Sequence, residues 1–339
     1  MKPIFRLIFL FIAFTLCLSL VQNKVSASDV PQGMDPPQQT DALMDSITTV
    51  ESAFGIHLAF DDMDRTPYNL NLKMVDYTDD LMRYQFESIS GQLVEIMPID
   101  DQKMIYNFNP LYSEDELQKM AIDFILWINP EIDFDSLNPS VGNKDQMTYF
   151  FRWEDDSLLP FIQVGFSAGG EFLNYTNSLG LKPKISLENS INSLIGIYAN
   201  GGMYATTSGA YNTVDNAGYC STQGSWCTPK NFYYATTVDI DNQTYTAHTR
   251  WMPYIYHQIS EISVFVPSTH GTTQEARYRV NDESLPNNFY INQLIYYDTW
   301  VKLTSQTYYD LNYILTDNAV DASGTEISWD EIMLYNPYN

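Results

Sequence analysis

Residues 161–175, FIQVGFSAGGEFLNY, can be read in two ways, and the choice decides the fold. The run Gly165-Phe166-Ser167-Ala168-Gly169 has the spelling of a nucleophile elbow, with His248, His257 and His270 following in a usable order. An elbow needs a helix directly after the strand, so that the serine is strained and exposed at the helix N-terminus. Here Gly170 is followed by Glu171 to Tyr175, which again alternates like a strand. The stretch therefore reads as a β-hairpin turning on Ala168-Gly169-Gly170-Glu171, and a serine hydrolase is not expected.

Upstream of this hairpin, Ser113 and Glu116 have the spacing of a capping box. Leu117, Met120, Ala121, Phe124, Ile125 and Ile128 fall on one face of a helix that should end at Asn129-Pro130. Strands are expected near Met147–Trp153, Phe161–Phe166 and Glu171–Tyr175. The same order occurs earlier. Asp41 caps a helix with Leu43, Ile47, Val50 and Phe54 at helical spacing and Gly55 at its stop, followed by strands in 56–60, 68–75, 81–86 and 92–97. Ser90-Gly91-Gln92 of the first unit matches the turn at 168–171 of the second, so residues 41–180 read as an α+β region built from two copies of a helix-plus-antiparallel-sheet unit. The segment Tyr112-Ser113-Glu114-Asp115-Glu116 with its helix, the run Tyr149 to Glu154 and the stretch 161–175 together resemble the PepSY and YcdB-like secreted modules. That resemblance implies an association with extracellular peptidases, as a regulator or inhibitor, and carries no catalytic residue.

Downstream, residues 181–212 shift to Gly, Ala, Ser, Thr, Asn and Tyr and read as a linker. From 213 to 339, strand-like segments alternate with turn residues at the spacing of an all-β, jelly-roll-like sandwich. Thr249-Arg250-Trp251-Met252-Pro253, Ile262 to Pro267, Ala276 to Val280, Ile291-Asn292-Gln293, Trp300 to Leu303 and Ser328 to Ile332, in that order, resemble the golvesin and xanthan-lyase carbohydrate-binding-like domain. The resemblance implies glycan binding. Two features depart from its pattern: the pair Cys220 and Cys227, and the lack of a glycine after the Trp300 strand.

Lys2 and Arg6 precede an apolar run, Leu7 to Leu20, that ends in the small-residue site Val25-Ser26-Ala27, so residues 1–27 read as a signal peptide. The run is shorter than the ~20 residues that span a bilayer, and a secreted, extracellular or cell-surface protein without a membrane span is expected. Residues 28–40, with Pro31, Pro36 and Pro37, read as a disordered tether. A formal charge of -25 disfavours nucleic-acid partners, whose phosphates would be repelled. In an oxidising compartment Cys220 and Cys227 are expected to form a disulfide around the short loop holding Trp226.

The histidines are isolated, no metal-ligand spacing is present, and no cofactor is expected, although calcium on loop carboxylates is an open alternative. The positive signal is aromatic, at 14% of the chain. Rings held outward beside Asn, Asp or Gln can stack on the C–H face of a sugar and hydrogen-bond its rim. Trp226 is the first contact candidate, with Tyr233, Tyr234, Tyr254 and Tyr256 placed in turns beside it. Trp251, Trp300 and Trp329 alternate with apolar residues and are assigned to the core. The expectation is a non-catalytic protein that attaches to a cell-wall or extracellular polysaccharide through its C-terminal sandwich, with regulation of a secreted peptidase as the alternative.

Overall fold

A Ser113 side chain that accepts from the Glu116 N–H, while the Glu116 carboxylate accepts from the Ser113 N–H, starts helix α2 (Glu114–Ile128), and Thr40 starts helix α1 (Asp41–Phe54) in the same manner by accepting from the Leu43 N–H. Helix α1 ends on Gly55 in the left-handed region, where a residue with a Cβ would be strained. These elements are taken from a computed structural model that describes residues 40–61, 74–155, 161–181, 194–199, 205–214, 231–240, 245–253, 255, 258–259, 261–281, 288–304, 306–320 and 323–335. The signal-peptide reading and nearly all of the tether lie outside the described residues.

Each helix precedes four antiparallel strands. After α1 come β1 (Ala59–Asp61), β2 (Met74–Thr78), β3 (Met82–Glu87) and β4 (Leu93–Pro98), and after α2 come β5 (Asn138–Lys144), β6 (Thr148–Glu154), β7 (Phe161–Ser167) and β8 (Phe172–Asn177). The eight form one sheet in the order β1-β2-β3-β4-β8-β7-β6-β5, so the two copies meet through their last strands, with Glu95 opposite Thr176 and Ile96 opposite Tyr175. The equivalence extends to detail. The last hairpin of each unit, β3-β4 and β7-β8, carries a register shift, at Gln85/Phe86 and at Gly165/Phe166, and both turn on a glycine with positive φ. Each of these glycines sits against the start of its own helix: a Cβ on Gly91 would lie 2.3 Å from the Ala42 carbonyl oxygen, and one on Gly170 would lie 2.6 Å from the Tyr112 ring.

Two elements depart from the sequence expectation. The strand expected over 68–75 is found at Met74–Thr78, with 62–73 outside the described residues. Strand β5 was not anticipated, because Asn138-Pro139-Ser140 and Gly142 give no apolar alternation; it is an edge strand with largely exposed side chains, where Pro139 costs no needed ladder bond. One face of the sheet packs on both helices through Leu43, Ile47, Leu117, Ile125, Phe86, Phe151, Val164 and Tyr175.

The C-terminal part is a β-sandwich. A five-stranded sheet runs β10 (Ala205–Ser208), β14 (His248–Trp251), β19 (Ile314–Asp317), β16 (Ala276–Val280), β17 (Asn288–Ile291), and a four-stranded sheet runs β18 (Thr299–Thr304), β15 (Glu261–Val266), β22 (Glu331–Tyr335), β9 (Leu194–Ala199). A three-stranded sheet, β11 (Tyr211–Val214), β12 (Asn231–Thr236), β21 (Glu326–Trp329), and a parallel pair, β13 (Val238–Asp239) with β20 (Ala319–Val320), complete it. Trp251, Tyr278 and Ile314 of the first sheet meet Ile262, Val264 and Ile332 of the second in one core. The segment 181–212, expected as a linker, supplies β9, β10 and the start of β11 to these sheets, since its Thr, Tyr and Ile residues pair as strands once partners are present. The described residues pack as one unit, and Met97, Phe150 and Leu173 of the eight-stranded sheet belong to the sandwich core.

Candidate functional site

The three-stranded sheet carries an organised set of rings with an exposed end. Its register pairs Tyr211 with Tyr234 and Tyr234 with Ser328, while the neighbouring row pairs Asn212 with Tyr233 and Tyr233 with Trp329. Because successive side chains of a strand point to opposite faces, Tyr233 and Tyr234 are separated. Tyr233 packs against the sandwich core on the Trp329 side, and Trp329 is fully buried with its indole N–H donating to Thr316 Oγ1 at 3.0 Å. Tyr234 is on the other face. Its ring lies 5.5 Å from that of Tyr211 and stacks on His270 at 3.6 Å with 13° between planes. Tyr211, at the edge of the sheet, is 64% exposed.

The position of the imidazole comes from the chain on either side of it. His270 sits at φ 59°, a left-handed conformation in which histidine is tolerated but uncommon. Its Nδ1 lies 2.9 Å from Glu326 Oε2. Two residues on, the Thr272 and Thr273 N–H groups both donate to the Glu326 carbonyl at 2.9 Å, and the Glu326 N–H donates to Thr272 Oγ1 at 2.9 Å. A backbone held on both sides of Glu326 thus fixes the ring over Tyr234. Together they form a ladder of three rings with a carboxylate at one end and an exposed phenol at the other, a surface that can stack on an apolar face and hydrogen-bond a hydroxyl rim.

Of the expected contact residues, Tyr234 is in this ladder and Tyr233 is not; both lie in strand β12 rather than in a turn. Trp226, Tyr254, Tyr256, Cys220 and Cys227 lie outside the described residues. Trp251, Trp300 and Trp329 are buried, as their alternation indicated. Tyr211, His270 and Glu326 were not singled out as contacts, and only the Tyr211 to Tyr234 pairing, which needs the register, would have indicated the first of them.

Ser167 has no elbow around it. It is fully buried at the end of β7, its hydroxyl paired with the Glu171 carboxylate, and it accepts the Glu171 N–H at 3.0 Å. The Gly170 N–H donates to the Ser167 carbonyl at 2.9 Å and closes a hairpin, as the sequence indicated. His57 pairs with Glu51 and His270 with Glu326, neither with Ser167. Among the described residues, no group of three or more His, Cys, Asp or Glu gathers in a way that could hold a metal ion. No helix among them is long and apolar enough to cross a membrane.

No protein-family model matches the chain, and no curated protein sequence does. Among solved structures it is similar to the YpeB C-terminal domain of Bacillus megaterium, at 12% identity and a TM-score of 0.30, over 62% of this chain and 91% of that one. It is similar also to a Paenibacillus xanthan lyase, at 10% identity and a TM-score of 0.30, over 84% of this chain but only 26% of the lyase. A third is the exo-β-1,3-galactanase of Phanerochaete chrysosporium with galactose, at 9% identity and a TM-score of 0.28, over 83% of this chain and 68% of that one. Likenesses of this size assign neither a family nor an activity.

Proposed function

We propose that this chain is a secreted, non-catalytic protein that attaches to a neutral or weakly charged polysaccharide through the ring ladder Tyr211, Tyr234 and His270. The observation that carries the reading is the stack itself: an imidazole in an uncommon backbone conformation, held by Glu326 and laid flat on a tyrosine, beside a second tyrosine that is mostly exposed. Large rings left at a surface by a fold that buries Trp153, Trp251, Trp300 and Trp329 are available to a ligand, and uncommon backbone conformations gather at ligand sites. The buried, hairpin-bound Ser167 counts against a nucleophile elbow at that position. The signal-peptide reading of residues 1–27 supports a role outside the cell.

Retention on insoluble glycans and affinity electrophoresis in soluble ones test this. A stacked ring contributes about 0.5–1.5 kcal/mol beyond its buried area, so Tyr211→Ala should weaken binding about tenfold while leaving the melting temperature unchanged. If Tyr211→Ala and Tyr234→Ala bind every glycan of a broad panel as the unaltered chain does, the ladder is not the site. Inhibition of a secreted peptidase that persists in both variants would favour the peptidase-regulator alternative instead.

A further inference from the structure

Strand β17 stops at Ile291, because the Asn292 side chain accepts from the Leu294 N–H and turns Gln293–Ile295 into a short 3-10 turn. This turn and the residues after it are held almost group by group through their main chain by side chains of the eight-stranded sheet and of the turn that follows β4. The Asn292 N–H donates to Asp101 Oδ2 at 2.8 Å. Lys144 Nζ donates to the Gln293 carbonyl at 2.9 Å, Thr148 Oγ1 to that of Leu294 at 3.0 Å, Asn174 Nδ2 to that of Ile295 at 2.6 Å and Gln163 Nε2 to that of Tyr297 at 3.2 Å. The Tyr297 ring stacks on Phe150 at 5.1 Å, over Gly142, where any Cβ would strike it. On its other side, the Gln293 side chain bonds both the N–H and the carbonyl of Ser328, next to the strand face that carries Tyr234.

Two of the five clasping groups are ionisable, and both are buried. Asp101 faces Asp100, Tyr106, Tyr296, Gln102 and Asn292, with Glu171 behind Tyr106, and among the described residues no cation lies within ion-pair distance of it. Lys144 faces Asp145 and Asp298, neither in ion-pair contact with it. The Asn292 N–H and the Gln293 carbonyl each favour the ionised partner, but burial of a charge without a close counter-ion costs more, so the closed arrangement is on balance favoured with each group neutral. We propose that the clasp on residues 292–297 is a proton-controlled latch between the α+β region and the β-sandwich, with Asp101 loosening it when ionised and Lys144 loosening it when protonated.

The signs follow from the shifts. Burial pushes the Asp101 carboxyl up to about 6, so its contribution is complete below the free value near 3.8 and is lost as pH rises through 6. Burial pulls the Lys144 ammonium down to about 7, so its contribution appears as pH rises above 7. The buried carboxyl of Asp76, near Arg83, Glu261 and Lys302, is also shifted upward and acts with the sign of Asp101. The latch is weakest near neutral pH and tightens on both sides.

Hydrogen exchange of the full chain tests this, read as protection factors for the amides of residues 293–297 after correction for intrinsic rates. Protection should fall about 100-fold from pH 4 to pH 7 and recover about tenfold or more by pH 9. Asp101→Asn should weaken the acid limb alone, leaving only the part due to Asp76, and Lys144→Gln should flatten the alkaline limb alone. Equal protection at pH 4 and 7, or a pH response shared equally by the amides of α2, would overturn the latch. Should either variant fail to fold, carboxyl NMR of the unaltered chain decides: an Asp101 midpoint near 4 overturns the proposal and one near 6 supports it.

Discussion

The two faces of the eight-stranded sheet are buried to the same degree and made of opposite material. Toward the helices, Tyr77, Phe86, Phe151, Ile162, Val164 and Tyr175 form a continuous apolar layer. On the other face, Asp76, Gln85, Glu95, Thr148, Gln163, Asn174 and Thr176 are all below 5% exposed. Hydrogen bonds and ion pairs tie them together and to the covering segment: Gln85 Nε2 donates to Asp76 Oδ1 at 2.9 Å, the Arg83 guanidinium reaches Asp76 and Glu95, and Thr148, Gln163 and Asn174 hold the main chain of the sandwich. A period-two alternation of apolar and polar residues is ordinarily the mark of a sheet with one wet face. In this molecule it marks a sheet covered twice, once by non-directional packing and once by hydrogen bonds that demand one placement of the covering segment.

Substitutions can test that contrast in descending order of effect. On the apolar face, Phe151→Ala leaves a cavity in a fully buried layer and should cost about 3–5 kcal/mol in chemical denaturation. On the polar face, Asn174→Ala strands the buried Ile295 carbonyl and should cost about 1–3 kcal/mol, with the loss of protection concentrated in residues 293–297. Thr148→Val keeps the volume and removes one neutral hydrogen bond, for about 1 kcal/mol. If Asn174→Ala destabilised as much as Phe151→Ala, the polar face would be contributing by packing, and the distinction between the faces would fail.

Local rules made much of the fold readable. The capping box at Ser113 and Glu116, the glycine stop at Gly55 and the hairpin glycines Gly91 and Gly170 each involve residues close in sequence, and they revealed the repeat. Strand β5 was hidden because an edge strand with exposed side chains has no burial pattern to display. The site was half legible. Tyr234 was singled out with Tyr233, yet which of two adjacent tyrosines faces the core is set by pairing with Trp329, nearly a hundred residues away. His270 reaches the ladder only because Glu326, equally distant in sequence from Tyr234, holds it there.

What the chain's own residues determined, without help from the fold, is what contacts a few positions apart govern: two helices, the glycine stop of the first and the capping box of the second, the doubled unit, and a hairpin in place of an enzyme's elbow; the cap of the first helix is Thr40 rather than the expected Asp41. Tertiary structure alone decided that the polar stripe of the sheet is an internal joint, that residues 292–297 are its tongue, and that Tyr211, Tyr234 and His270 share one surface. The physical reason is that a hydrogen-bonding side chain suits water and a buried partner equally well, so its environment is settled only when the distant segment that covers it arrives.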